Sequence, residues 1–411
     1  MKNIVFVGNS IANCKAIEEI RKRDKESIIT LVSADAFYPY GRGRLLSYLA
    51  GEIKERQVYY HQDYFYKEHG VRVITGQPIT RFNFKRNQVF LENKEHLSYD
   101  ILVLADLALP RLPEIKGHYK TGVYQTVRLA DVKTVLDQIQ FTETVVVQVT
   151  SLAGFLTLCA LSGHGKELVV SSTWPTILPD VLDQESSSIL KQLLEYKGIR
   201  LMMENSIEEI LGDGDVKAVR MKSGKVLSTE MVILDDLRVD TRFFKDTGLE
   251  LLKEEENSSS QFRSSFPNVY WVDAVRNAFK VPGGRDYNIS DEQLEGQGGA
   301  LAQEILGLEC DPFLYSSTTK FRLKDLTGFW FGETNLFEAV REFSRFDADK
   351  NIYKKIFSNA GVLSGAVFFN AGDQFDKMRE MFNEKANIQG IEEQMLDNQL
   401  DLQGLAKLPQ S

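Results

Sequence analysis

The feature that most constrains this chain is an apolar segment, Ile4-Val-Phe-Val, that runs directly into Gly8 and then into a helical pattern. A short buried strand, a tight turn and a helix begin a βαβ unit of a parallel sheet, and the first N–H groups of such a helix can bind phosphate. Apolar residues continue at helical spacing to about Lys25, and a second strand is predicted over residues 28–32. The segment therefore predicts an α/β sheet with an anion site at the turn.

This turn keeps one of the three glycines of a dinucleotide-binding turn. Gly8 stands at the first glycine position, while Ser10 and Asn13 occupy the second and third. The second glycine lets the backbone approach the phosphates, and the third lets the helix pack closely on the strand. Gly8 and Ser10 are therefore candidate binding residues, and the substitutions leave open whether a ligand still binds.

A second copy of the opening pattern begins at Thr144. A strand over 144–149, a turn at 150–154, a helix to Leu161 and a strand over 168–170 predict a second Rossmann-like unit. Later segments alternate between Gly, Asn and Asp turns and precede one more helix, over 321–331, 340–347, 352–359, 362–370 and 374–384. The predicted fold class is α/β, with two three-layer Rossmann-like domains and a small α+β C-terminal domain.

Composition limits the partners and the compartment. The 49 Lys and Arg residues against 58 Asp and Glu residues give a net charge of -9, which disfavours non-specific binding to nucleic acid or to an anionic membrane. The three cysteines form no CxxC pair and the five histidines lack metal-ligand spacing, so neither a disulfide scaffold nor a metal site is predicted. We expect a cytoplasmic protein without a secretory leader.

Five motifs carry a resemblance that extends over nearly all of residues 1–385. They are Tyr38-Pro39-Tyr40 with Arg42 and 45–51, the stretch 97–102, Val127-Arg128 with Asp131, Ile177-Leu178-Pro179 with Leu182-Asp183, and Pro267-Asn268-Val269-Tyr270. In them the chain resembles the flavoprotein reductases of the pyridine nucleotide-disulfide oxidoreductase family, especially NADH:rubredoxin reductases and the NADH-binding part of nitrite reductases. The resemblance implies FAD across the first and third segments, NADH on the second, and a small C-terminal domain that covers the flavin or forms a subunit contact.

The resemblance also implies a domain organisation. Residues 1–110 and 241–320 would form a discontinuous FAD-binding-like domain, and residues 111–240 an NAD(P)-binding-like domain. Residues 321–385 would form the C-terminal interface-type domain, followed by a tail over 386–411.

Six residues are candidate cofactor contacts by this resemblance: Gly8, Ser10, Asp35, Arg42, Arg128 and Asp273. Asp35 stands where an acid would hold the adenosine ribose, although a solvated loop acid is an equally simple interpretation. Arg42 could contact phosphate, and an exposed loop arginine is the alternative. Asp273-Ala274 replaces the Gly-Asp pair of the family, whose Asp holds the ribityl chain; a shift by one residue on a strand reverses the side-chain direction.

Other ligand-facing positions differ from the family pattern. Ala105-Asp106-Leu107 replaces Ala-Thr-Gly beneath the FAD phosphates, and a carboxylate at ~4 Å would repel a phosphate by about 1 kcal/mol in water. Val149, Ser151 and Gly154 stand for the three glycines of the second turn, and Ser172 stands where the family has the Glu that binds the NADH ribose. These changes predict that FAD is held weakly or lost and that NAD(P)H does not bind.

The leading hypothesis from the sequence is therefore a divergent, non-catalytic family member that serves as a structural or regulatory subunit of a redox complex. No redox cysteine is expected, because Ala50 and its neighbours occupy the place of the family's thiols and Cys14 is interpreted as a small buried residue. The alternative is a FAD-dependent NAD(P)H oxidoreductase that passes electrons to a small iron or iron-sulfur protein. A third possibility is a module that binds another nucleotide or anion at the Gly8 turn.

The tail over 386–411 carries Ile388, Ile391, Met395 and Leu396 at roughly helical spacing. This spacing predicts an amphipathic helix that docks on the chain itself or on a partner, and a frayed terminus is the alternative. We expect a protein partner or a second copy to bind through the C-terminal region. On that interpretation, removing the tail would leave the melting temperature nearly unchanged.

Overall fold

A computed structural model of the chain describes residues 1–105, 108–110, 113–234, 237–239, 244, 247–249, 262–272, 290–309, 318–332, 334 and 340–397. For 108–110 and 237–239 it describes the backbone only.

The α-helices within these residues are α1 (Ile11–Arg23), α2 (Arg42–Leu49), α3 (Asp63–Glu68), α4 (Leu129–Ile139), α5 (Leu152–Leu161), α6 (Gln184–Tyr196), α7 (Asp291–Ile305), α8 (Phe375–Asn383) and α9 (Glu392–Met395). The strands up to the second unit are β1 (Asn3–Val7), β2 (Ile28–Val32), β3 (Val71–Ile74), β4 (Ile79–Asn83), β5 (Gln88–Leu91), β6 (His96–Ser98), β7 (Ile101–Leu104), β8 (Ala108–Pro110) and β9 (Val123–Tyr124). The remaining strands are β10 (Thr144–Gln148), β11 (Glu167–Ser171), β12 (Arg200–Met202), β13 (Ile207–Leu211), β14 (Ala218–Met221), β15 (Val226–Ser228), β16 (Met231–Leu234), β17 (Leu237–Val239), β18 (Val269–Trp271), β19 (Thr318–Leu323), β20 (Leu326–Gly332), β21 (Arg341–Asp347), β22 (Ile352–Asn359) and β23 (Val362–Phe369).

The first compact unit comprises residues 1–113, 124–138 and 235–315 and contains a five-stranded sheet in the order β18-β7-β1-β2-β3. Its strands are parallel, and β1 lies at the centre between β2 and β7. One apolar cluster covers the face beneath α1 and α7, and a second lies between the other face and the small sheet β4-β5-β6. Burial on both faces explains why β1 and β7 read as continuous apolar runs in the sequence.

Helices α1 and α7 of this unit cross at very short range. Gly298 makes the approach possible, because a Cβ atom built there would lie 2.8 Å from Lys15 Cβ and closer still to the carbonyl oxygen of Ala12. The contact fixes α1, and with it the turn at Gly8, against α7.

The second compact unit comprises residues 114–123, 139–234 and 316–411. It holds a second sheet in the order β12-β11-β10-β16-β9, in which β10 pairs in parallel with β11 and β16. Every residue of α5 is buried, because the helix contacts β10 of this sheet and β19 of a five-stranded antiparallel sheet ordered β19-β20-β23-β22-β21. The ring of Phe155 in α5 meets the ring of Phe321 in β19 edge-on, with centroids 5.1 Å apart.

These elements confirm the predicted fold class of two Rossmann-like α/β domains and a small α+β domain. The apolar run 321–331 is divided into a hairpin of β19 and β20, because Lys324 adopts a left-handed backbone conformation with φ 55°. Strands β13, β14 and β15 form a separate three-stranded antiparallel sheet in the same unit. The four-part domain division drawn from the sequence stays a prediction.

Up to residue 397, the structure agrees with the interpretation in which the tail docks on the chain itself, although its only helix there is the short α9. Ile388, Met395 and Leu396 are buried in the core of the C-terminal sheet and α8, and Ile391 packs against the same core. The segment is also tied by backbone hydrogen bonds, such as Ile388 N–H to Gly361 O at 2.7 Å. These apolar side chains dock on the chain itself, so they do not offer a partner surface, and residues 398–411 lie outside the described residues.

A buried lysine joins the C-terminal sheet to the second Rossmann-like domain. Lys355 of β22 is 2% exposed, and its ammonium group lies 2.8 Å from Asp183, 3.0 Å from Glu185 and 2.7 Å from Glu342. Asp183 also caps α6 by accepting the N–H groups of Glu185 and Ser186. One cation thus pairs with carboxylates from both parts of the unit.

Candidate functional site

The predicted anion site lies where β1 ends and α1 begins. Gly8 has φ 106°, a conformation that favours glycine, and its N–H donates to Val32 O at 2.9 Å. Ser10 is the N-cap of α1, and the first turn of the helix carries no acidic residue. The first turn of α1 therefore supplies no negative charge of its own to the positive N-terminus, which can bind an anion.

The side chains at the two lost glycine positions satisfy backbone groups. Ser10 Oγ accepts a hydrogen bond from Ala12 N–H at 3.2 Å, so one helix N–H group is already used. Asn13 is fully buried, and its Nδ2 donates to Val7 O at 3.2 Å and to Gly8 O at 3.0 Å. Asn13 thus holds α1 on the end of β1 by hydrogen bonds where a glycine would allow closer packing.

Asn9, which we did not single out from the sequence, offers an unpaired donor at this turn. Its side chain is only 7% exposed. Tyr40 N–H donates to Asn9 Oδ1 at 3.1 Å, which fixes the orientation of the amide. Nδ2 is buried and has no hydrogen-bond partner. A buried donor without an acceptor costs roughly 1–3 kcal/mol, and a phosphate oxygen at the turn would supply that acceptor.

Three helix N-termini meet at Gly41. Gly41 is the N-cap of α2, and a Cβ atom built on it would lie 2.5 Å from Cδ1 of Ile11, the first residue of α1. The same atom would lie 2.8 Å from Cγ of Asp291, the first residue of α7. A side chain at residue 41 would therefore clash with both neighbours, so only glycine fits there. The positive N-termini of α1, α2 and α7 lie close together in this part of the unit.

Asp291 is the acid at this convergence. Its Oδ2 lies 3.3 Å from Arg44 Nε, whereas its Oδ1 is buried without a hydrogen-bond partner. Burial raises the pKa of the Asp291 carboxyl above its ordinary value, and Arg44 opposes that rise. Arg44 is itself held by a hydrogen bond to Tyr59 O at 3.0 Å and by stacking of its guanidinium over the ring of Tyr60.

Asp35 is a hydrogen-bonded loop acid. Its Oδ1 accepts from Phe37 N–H at 3.1 Å, and its Oδ2 accepts from the hydroxyl of Tyr40. The Tyr40 hydroxyl in turn accepts from Leu129 N–H at the start of α4, at 2.9 Å. Tyr40 thus connects Asp35 to the Asn9 turn, and contact of Asp35 with a ribose stays a prediction.

Of the remaining predicted cofactor contacts, the structure describes Arg42 and Arg128 but not Asp273. Arg42 Nη1 donates to Thr126 O at 3.3 Å, so the arginine is bound to a neighbouring segment of its own unit. The N–H of Arg128 donates to Asp131 Oδ2 at 3.0 Å, which secures the first turn of α4. Asp273 lies outside the described residues, as do Asp106, Leu107 and Ala274.

The second turn, between β10 and α5, offers fewer groups that could bind a dinucleotide. Ser151 caps α5 by accepting a hydrogen bond from Gly154 N–H at 3.2 Å. A Cβ atom at Gly154 would lie 3.0 Å from Gln148 O, which is a tight contact that disfavours a side chain there. Ser172 is fully buried, and its hydroxyl accepts from Trp174 N–H at 3.1 Å. No carboxylate therefore stands at residue 172 to receive a ribose hydroxyl.

The cysteines that the structure describes, Cys14 and Cys159, are both buried. Cys14 is buried beside the Tyr66 hydroxyl at 3.4 Å, and burial raises the pKa of its thiol to about 12, which keeps it protonated. Within the described ranges no group of three or more His, Cys, Asp or Glu side chains could hold a metal ion. A search of the same ranges also gives no helix with the length and apolarity needed to span a membrane.

Comparison with known proteins places these features in a family. The model of the family described as "Pyridine nucleotide-disulphide oxidoreductase" matches residues 2–283. The chain is 25% identical over 390 residues to "Nitrite reductase [NAD(P)H]" of Bacillus subtilis (strain 168), covering 94% of this chain and 48% of that protein. It thus spans about half the length of that relative. It is also 25% identical over 400 residues to "NADH oxidase" of Methanocaldococcus jannaschii, covering 94% of this chain and 86% of that protein.

Solved structures agree with the fold. The chain superimposes on the "covalent putidaredoxin reductase-putidaredoxin complex" with a TM-score of 0.84 and 18% identity, covering 98% of each chain. It superimposes on a ferredoxin reductase from Rhodopseudomonas palustris with a TM-score of 0.83 and 18% identity, covering 98% of this chain and 99% of that one. From the family match, the turn at Gly8 and the two Rossmann-like sheets, we conclude that the chain belongs to the pyridine nucleotide-disulphide oxidoreductase family.

Proposed function

We propose that this protein is a FAD-dependent NAD(P)H oxidoreductase that passes electrons to a small iron or iron-sulfur protein. Membership of the family favours this function over the non-catalytic subunit that the altered turns suggested. Relatives and structural neighbours of comparable length bear the names of an NADH oxidase and of ferredoxin reductases. One solved neighbour is a reductase joined to its redox-protein partner, which agrees with a protein acceptor.

The observation that carries FAD binding is the unpaired amide of Asn9. Its Nδ2 lies buried at the N-terminus of a 13-residue helix, next to Gly8, whose positive φ favours glycine. A pyrophosphate oxygen would accept from Nδ2 and would also meet the positive helix end. The described residues of the turn therefore fit the phosphate part of FAD, even though Ser10 already caps one N–H group.

The roles of the chain's own residues follow from this fit. Asn9 and the start of α1 would bind the pyrophosphate, and Asp35, held by Tyr40, would accept a hydroxyl of the adenosine ribose. FAD, when bound, would supply a group that takes up an electron pair and releases electrons singly. The protein would supply binding and orientation.

The test is FAD binding by the purified full-length chain and by Asn9→Asp. This change is isosteric and keeps the acceptor for Tyr40 N–H, but it replaces the unpaired donor by a carboxylate oxygen. Loss of the charge-assisted hydrogen bond and the added like-charge repulsion together cost about 2–4 kcal/mol, or roughly 30- to 1000-fold in affinity. Asn93→Asp, the same change on an exposed residue, is the matched control.

The expected result is stoichiometric flavin in the wild-type chain and in Asn93→Asp, and a much weaker complex in Asn9→Asp. Failure of the wild-type chain to retain or take up FAD would overturn the proposal. Equal FAD affinity of Asn9→Asp and Asn93→Asp would show that the turn does not hold the pyrophosphate.

A second candidate function is the non-catalytic structural or regulatory subunit of a redox complex. The observation in its favour is the second turn, where Ser172 is sealed from solvent and provides no carboxylate for the NAD(P)H ribose. Anaerobic titration of the FAD-loaded protein with NADH and NADPH separates the two functions. Bleaching of the flavin absorbance supports the oxidoreductase, and an unchanged spectrum at millimolar nucleotide supports the subunit.

A further inference from the structure

Asp291 has a buried carboxylate oxygen to which the proposed binding of pyrophosphate assigns no partner. Its Oδ2 is paired with Arg44 Nε at 3.3 Å and the backbone N–H of Gly43 also faces the carboxyl, while its Oδ1 is buried and has no hydrogen-bond partner of its own. A carboxylate oxygen can only accept unless the group is protonated, so this atom lacks a donor. Burial of such an atom without a donor is costly, which indicates that a ligand completes it.

Asp291 Oδ1 and Asn9 Nδ2 border the same two-residue segment. Asn9 accepts the N–H of Tyr40 at 3.1 Å, and Asp291 lies against the backbone of Gly41, where a Cβ atom would come within 2.8 Å of its Cγ. The two unpaired atoms are of opposite kind, a donor at Asn9 and an acceptor at Asp291. A ligand that satisfies both must present an acceptor and a donor within one molecule.

The charges decide which part of a dinucleotide meets each residue. A phosphate beside Asp291 would bring two negative groups together, whereas a hydroxyl or N–H group would pair with Oδ1. FAD offers donors in two places, the ribose of its adenosine half and the ribityl chain and ring N–H of its flavin half. Asp35, which meets the hydroxyl end of Tyr40, lies at a different point of the loop and is the acid predicted for the adenosine ribose.

We propose that Asp291 determines specificity for the flavin half of the bound dinucleotide by accepting a hydrogen bond from a ribityl hydroxyl or from the ring N–H. This inference rests on the FAD binding proposed above. Asp291 then does for the flavin half what Asp35 would do for the adenosine half, and Asn9 binds the pyrophosphate between them.

The experiment compares the affinities of the full-length chain for FAD and for ADP, which lacks the flavin half. Asp291→Ala should weaken FAD binding by roughly 10- to 100-fold, because a charge-assisted hydrogen bond is lost. The affinity for ADP should be unchanged or slightly raised, since a negative charge near the phosphates is removed. Asp291→Asn keeps an acceptor oxygen and should lie between the wild type and Asp291→Ala. Glu292→Ala, at the next and exposed residue of α7, is the matched control and should leave both affinities unchanged.

The two proposals fail in different ways. If the wild-type chain binds neither FAD nor ADP, the proposed FAD function is wrong. If it binds both and Asp291→Ala weakens both equally, or weakens neither, the assignment of Asp291 to the flavin half is overturned while FAD binding stands. Unchanged ADP binding by Asp291→Ala also shows that the variant is folded.

Discussion

The crossing of α1 and α7 can be tested with two adjacent glycines of the same helix. Gly298 and Gly299 both lie inside α7, but only Gly298 faces α1. A Cβ atom added at Gly298 would lie 2.8 Å from Lys15 Cβ and 3.1 Å from the carbonyl carbon of Ala12, whereas one added at Gly299 would meet nothing within 4 Å. The neighbour at Gly298 is backbone and cannot rotate away, so α1 itself must move.

The magnitude follows from comparing the two alanine variants. Both gain up to about 1 kcal/mol from replacing a glycine inside a helix. Gly298→Ala also introduces an overpacked contact, which costs typically about 1–3 kcal/mol. We therefore expect Gly299→Ala to be as stable as the wild type or more so, and Gly298→Ala to be about 1–3 kcal/mol less stable than Gly299→Ala.

Equilibrium denaturation of the full-length variants measures this difference, and FAD titration measures its effect on the site. Because α1 begins at the turn that holds Asn9, a displaced α1 should also weaken FAD binding in Gly298→Ala and not in Gly299→Ala. Equal free energies of unfolding in the two variants would refute the short crossing of α1 and α7.

Two further predictions concern other parts of the chain. Removal of residues 386–411 should destabilise the C-terminal domain by several kcal/mol, because it takes away three fully buried side chains worth about 1.5–3 kcal/mol each; an unchanged melting temperature would contradict the packing of the tail. Burial lowers the pKa of His61 below its ordinary value of 6.5, so the unfolded chain takes up the proton first and stability is lost as the pH falls through that value. His61→Gln should lose less stability than the wild type between neutral and mildly acidic pH, and the variant of exposed His96, His96→Gln, should follow the wild type. Parallel pH profiles of the two variants would count against a role for the partial burial of His61.

Much of the fold follows from local sequence. The strand before Gly8 and the helix after it are fixed by apolar spacing within about 20 residues, and the predicted strand over 28–32 coincides with β2. The same reasoning found β22, which coincides with the predicted segment 352–359. The hairpin of β19 and β20 was harder to predict, because its turn depends on Lys324 in a left-handed backbone conformation. Lysine is not among the residue types that usually indicate a turn.

The candidate site was predictable only in outline. Gly8 and Ser10 could be placed because a dinucleotide turn is a local pattern. The unpaired donor of Asn9 depends on Tyr40 N–H, 31 residues away, and the unpaired acceptor of Asp291 depends on Gly41 and Arg44, about 250 residues away. The side of the tail that is buried depends on the surface it meets, which helical spacing alone does not identify.

Lys355 has a consequence for how the second unit unfolds. Its ammonium group is sealed between the C-terminal sheet and the capped end of α6, with Asp183 and Glu185 supplied from one side and Glu342 from the other. If the sheet opened alone, Lys355 would lose its charge-assisted hydrogen bonds to Asp183 and Glu185, each worth about 1.5–3 kcal/mol. A partially unfolded form is therefore disfavoured, so the sheet and α6 should gain and lose their structure in a single cooperative transition.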